Sequence, residues 1–143
     1  MFYTVVFDIF GIATHEYLHY NVLRMLGGDG FVVYTWLGGR VIIEKMPTEP
    51  CSITLVMLAG GLGVGALLLL LAYLSYRSRS YEEMFAELVV GFAQLTNGIY
   101  DGFFWWLPRP EYYIIGEIVG SLGALLGLLL GYNLWNRSLF RTA

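Results

Sequence analysis

The chain has 143 residues, 57% of them hydrophobic and only 13% charged, with a formal net charge of -3. Its mean hydropathy is +0.63, whereas soluble domains carry roughly a quarter charged residues, so residues 1–143 read as one membrane-embedded domain in contact with the lipid bilayer. No Lys/Arg cluster points to nucleic acid as a partner, and Cys51, the one cysteine, excludes an intrachain disulfide.

The first apolar stretch, about residues 2–26, exceeds the roughly 20 helical residues that cross a hydrocarbon core. It lacks the basic leading region of a secretory signal and reads as a retained span, although it carries Asp8, His15, Glu16 and His19. Residues 31–36 and 40–44 are β-rich runs on either side of Leu37-Gly38-Gly39. They predict a β-hairpin over about 31–45, closed by Pro47 and Pro50. A second span follows at about 52–76, with the unbroken apolar run from Ala66 to Leu71. A third is expected at about 84–107 and a fourth at about 113–135, separated by Pro108 and Pro110.

The expected fold is therefore an all-α membrane protein, integral and multi-pass, with four transmembrane helices and a short β-hairpin between helices 1 and 2. Tyr73, Tyr76, Tyr81, Trp105, Trp106, Tyr112, Tyr113 and Trp135 fall near the proposed ends, where interfacial aromatics gather. Charge does not choose the orientation. Arg24, Arg40, Lys45 and Arg109 lie on the hairpin side, and Arg77, Arg79, Arg137 and Arg141 lie on the other.

Both histidines of the chain belong to His15-Glu16-Tyr17-Leu18-His19. Residues i and i+4 share a helix face, so the two imidazoles can hold one metal ion. Zinc suits this donor type and acidifies a water, whose proton the adjacent Glu16 is placed to take as the oxygen attacks a carbonyl. Ionisable groups inside a span are expensive and mark function by default.

A catalytic zinc takes three protein ligands. His15 and His19 lie roughly 10–16 Å below the hairpin-side surface, at 1.5 Å per residue. Asp101 lies roughly 9 Å down the third span by the same rise, and it is the preferred third ligand. Glu117 is the reserve, as a ligand or as a group behind one. Asp8 and Glu87 fall toward the opposite surface. Gln94, Asn97 and Asp101 form one polar stripe at i, i+3 and i+7, and for Gln94 an interhelical hydrogen bond is the better reading. Ala59-Gly60-Gly61-Leu62-Gly63 on the second span reaches the same layer, where small residues admit either a neighbouring helix or a substrate backbone.

With these motifs the chain resembles the site-2 protease family of intramembrane zinc metalloproteases. That family pairs HExxH on one membrane helix with a small-residue motif on the next and an Asn followed by Asp-Gly on a later one. Here the counterparts are His15-Glu16-Tyr17-Leu18-His19, Ala59-Gly60-Gly61-Leu62-Gly63 and Asn97-Gly98-Ile99-Tyr100-Asp101-Gly102. The hairpin is similar to the family's membrane-edge strands, so the likeness covers residues 1 to 107. The spacing from Asn97 to Asp101 is shorter than usual and without the usual prolines, and the glycine motif also lacks its proline. The resemblance implies zinc ligation by His15, His19 and Asp101, Glu16 as general base, and Asn97 holding the substrate or the developing oxyanion. It implies a transmembrane protein or peptide as substrate, cleaved in or near the bilayer. The alternative is a catalytically inactive membrane scaffold or binding protein that retains the fold.

Overall fold

The computed structural model describes residues 2–35 and 38–139, apart from the side chains of Phe2, Thr4, Asp8, Thr35 and Leu139. The side chain of Asp8, the hairpin tip at Trp36 and Leu37, and Arg141 thus lie outside the described residues. The elements run α1 (Phe2–Met25), β1 (Asp29–Thr35), β2 (Gly38–Lys45), α2 (Pro50–Ser78), α3 (Tyr81–Phe104) and α4 (Arg109–Leu139). The fold is mostly helical, with one two-stranded antiparallel sheet.

Local chemistry explains the breaks. Gly27 follows α1 with φ +79°, and the N–H groups of Gly27 and Gly28 close onto the carbonyls of Arg24 and Leu23, the usual left-handed helix ending. Asp29 then accepts from the Gly30 N–H and pairs with Arg24. These two contacts hold its carboxyl below the ordinary carboxylate range. α2 starts at Pro50, where a missing N–H costs nothing. It stops at Arg79, whose backbone is left-handed at φ 63°, with Arg79 and Ser80 N–H groups returning to Tyr76 and Ser75. Glu82 and Glu83 in the first turn of α3 suit its positive end. Pro108 and Pro110 do not delay α4 to residue 113 as the sequence suggests. Pro110 is its second residue, a position that tolerates proline. The strands likewise begin two residues earlier than expected, at Asp29.

α2 and α3 pack along most of their length, α4 packs on α3, and α1 lies against α2 and α3. The buried positions of α2, namely Val56, Gly60, Gly61, Val64, Gly65, Leu68, Ala72 and Ser75, form a single stripe at three- and four-residue steps. A Cβ on Gly61 or Gly98 would lie about 2.4–2.7 Å from the other helix's backbone, so only glycine allows α2 and α3 to cross this closely there. Among the described residues α1 and α4 do not meet, and the hairpin docks on α1 beside this gap.

Two helices, α2 and α4, are long and apolar enough to cross a membrane. α1 and α3, at 24 residues each, have the length. Their polar residues keep them below the hydropathy the other two reach, and those residues include the ones that build the site.

Candidate metal centre

α1 presents His15 and His19 on successive turns of one face, their ring centroids 4.6 Å apart. The Nδ1 atom of His15 lies 2.8 Å from Gln94 Oε1 on α3. That of His19 lies 2.5 Å from the Val56 carbonyl on α2. Both partners are acceptors, so each ring carries a proton on Nδ1 and donates it. The two Nε2 atoms then face each other at 2.8 Å. Two nitrogens converging in this way share a proton or hold a cation, and an outer N–H given to a carbonyl is the habitual orientation of metal-binding histidines.

Asp101 completes the cluster. One ligand atom each from His15, His19 and Asp101 all lie within 4.8 Å of one another. A zinc ion about 2.0–2.2 Å from each donor needs only small side-chain movements to sit among them. Two imidazoles and a carboxylate leave the fourth position of a tetrahedral ion for water or substrate. The residues fit the metal the sequence implies.

Glu16 lies in the same cavity, of about 570 Å³. Its Oε2 accepts from the Val41 N–H of β2 at 2.9 Å. One turn earlier, the Tyr34 hydroxyl of β1 donates to the Ala13 carbonyl at 2.9 Å. The hairpin therefore roofs the centre, fastened to α1 on both strands. Gly39 is required beneath that roof, because a Cβ there would sit 2.9 Å from Glu16 Cγ.

Gly60 and Gly61 of the α2 motif both serve the first of its two expected uses, close approach of a neighbouring helix. A Cβ on Gly60 would lie 2.3 Å from His19 Nε2 and 2.5 Å from His15 Cδ2, so Gly60 makes room for the histidines. Gly61 instead makes room for α3. Gln94 does form the interhelical hydrogen bond expected of it, and its partner is a histidine of the cluster.

Asn97 also borders the cavity. Its side chain packs against Gly120 of α4, and its buried Oδ1 has no hydrogen-bond partner. Glu117 lines the cavity but stands outside the three-residue cluster. Glu87 is buried near the opposite end of α3, beside Ser75. Three partners were not legible beforehand: the Val56 carbonyl, the Val41 N–H and Tyr112, whose phenol donates to Asp101 Oδ1. Backbone groups leave no trace in residue identity, and Tyr112 reads as an interfacial anchor. Its place just beyond a proline turn from Asp101 is the only signal that could have singled it out.

Comparison with family models, with curated proteins and with solved structures finds no match to this chain.

Proposed function

We propose that the chain is a membrane-embedded zinc endopeptidase of the site-2 protease type, hydrolysing a peptide bond of a transmembrane protein or peptide in or near the bilayer. The observation that carries this reading is the convergence of His15, His19 and Asp101 within 4.8 Å, with Glu16 in the same cavity.

When bound, zinc supplies Lewis acidity and brings the pKa of water near 7. His15 and His19 would hold it through Nε2, kept in the correct tautomer by Gln94 and Val56, and Asp101 would be the third ligand. Glu16 takes the proton of the attacking water on its carboxylate and delivers it to the departing amine. The Val41 N–H orients that carboxylate by engaging one oxygen and leaving the other free. Asn97, with its unpartnered Oδ1 at the cavity wall, is suited to hold an N–H of the substrate backbone. It can also turn its amide toward the developing oxyanion.

This reading extends the two apolar spans to four. α1 and α3 cross beside α2 and α4, with their polar groups turned to the cavity and to one another, as intramembrane ionisable residues require.

Zinc per chain in the detergent-purified protein, with His19→Ala and Asp101→Ala alongside, tests the centre. Near-stoichiometric metal, lost or sharply weakened in both variants, is expected. No metal after zinc is added back would defeat the enzyme reading. Glu16→Gln is expected to keep zinc and abolish cleavage of reconstituted single-span peptides; full proteolysis by that variant would remove Glu16 from the mechanism. A zinc-loaded wild type whose biological role survives Glu16→Gln would instead be a scaffold.

A further inference from the structure

The hydrolytic scheme leaves one polar contact of the cluster without a role. Tyr112, in the first turns of α4, donates its phenol proton to Asp101 Oδ1 on α3. A carboxylate has two oxygens, and a phenol holding one of them leaves the other for a cation while restricting rotation of the whole group. The phenol is itself held. The Tyr112 carbonyl accepts from the Tyr100 hydroxyl at 2.9 Å, and the two rings lie 5.2 Å apart. Tyr100 is 4% exposed and stacks on Phe104 at 5.3 Å, so its own position is fixed by the end of α3. Among the described residues the backbones of α1 and α4 do not pack on each other. The Tyr112 hydroxyl links α4 to the three-residue cluster through Asp101.

Resting on the metal-centre reading above, we propose that Tyr112 is a positioning residue: its hydroxyl fixes the Asp101 carboxylate as third ligand, so that the seating of α4 on α3 sets the affinity of the metal site. Groups that orient a ligand from behind typically contribute about 10- to 100-fold to metal affinity. A side chain on the last helix thereby belongs to a centre whose ligands lie on the first and third.

The test is zinc affinity of the full chain in detergent, by competition with a chromogenic chelator, for wild type, Tyr112→Phe, Tyr113→Phe, Asp101→Ala and the Tyr112→Phe/Asp101→Ala pair. Tyr112→Phe keeps the ring and its packing and is expected to weaken zinc binding about 10- to 100-fold. Tyr113→Phe removes a neighbouring hydroxyl on an exposed ring and should leave affinity unchanged. In the Asp101→Ala background the Tyr112→Phe change should add nothing, since the hydroxyl acts through that carboxylate. The visible absorption of the cobalt-substituted protein should change in Tyr112→Phe and persist in Tyr113→Phe. Wild-type affinity in Tyr112→Phe overturns the inference and leaves the metal centre standing. The same loss with Asp101 already removed overturns it too, because it marks a general packing effect; helical content and melting of the metal-free variants would show that directly. Absence of zinc binding in the wild type overturns the centre, and the inference with it.

Discussion

His15 and His19 are held by acceptors on two different helices, Gln94 Oε1 and the Val56 carbonyl, so neither ring can turn without losing a hydrogen bond. The room for this arrangement comes from Gly60. Replacing it with alanine puts a methyl group inside contact distance of both imidazoles. Overpacking of this kind costs about 1–3 kcal/mol when neighbours can shift, and here the neighbours are the two histidines of the proposed metal centre. Gly60→Ala is therefore expected to abolish or sharply weaken zinc binding while the helices persist, read as metal per chain beside far-ultraviolet circular dichroism. Retained stoichiometric zinc would show that the histidines can relocate. At this scale the clustering was plain in the sequence: His15 and His19 at i and i+4, Glu16 between them, and Asp101 at a matching depth, which converge in the structure. The partners were not. Gln94 lies 79 residues from His15 and Val56 37 residues from His19, and no local pattern encodes a bond across such distances.

A strand does at the site what no side chain could. The Val41 N–H, on β2, points to Glu16, although Val41 is paired with Val32 of β1. A hydrogen bond to a charged group contributes about 1.5–3 kcal/mol, enough to hold the carboxylate at one angle. Val41→Pro removes this donor alone, and proline is tolerated where a strand's N–H points away from its ladder. The variant should keep its zinc and lose turnover by roughly tenfold, the lower end of that hydrogen-bond range. Val41→Ala, which retains the N–H, should match the wild type. Equal turnover in wild type and Val41→Pro would mean that Glu16 needs no orienting. The hairpin was readable from its β-rich runs and the Gly38-Gly39 break. Its docking was not, because Tyr34 and Val41 reach α1 through backbone atoms at one end of each bond. The helix limits erred where proline was taken as a barrier, since Pro50 and Pro110 both sit inside the first turn of a helix.

For the molecule as a whole, the decisive matter is how many helices cross the bilayer. α2 and α4 have the required length and hydropathy, and α4 leaves Ile114, Ile118, Leu122, Leu125, Leu126 and Leu129 exposed along it, a face too large and apolar for water. α1 and α3 fall short because the residues that make the cavity are polar. Yet at 24 residues each they are roughly 36 Å long, against a hydrocarbon core of about 30 Å. α3 is flanked by α2 and α4, so few of its polar groups would need to face lipid. If all four cross, residues 45–51 and 105–109 share one side, and the N-terminus and residues 78–81 share the other. Cys51 is the one cysteine and is exposed, which makes it a native reporter. In sealed vesicles a membrane-impermeant maleimide should reach Cys51 from one face. In a Cys51→Ser background, Arg109→Cys should label from that same face, and Ser78→Cys from the opposite one together with an N-terminal epitope. Labelling of Ser78→Cys and Arg109→Cys from the same face would mean that α3 does not cross. Asp101 would then be out of reach of a buried substrate, and cleavage would have to occur at the membrane surface. An N-terminal epitope on the Cys51 face would say the same of α1 and its histidines.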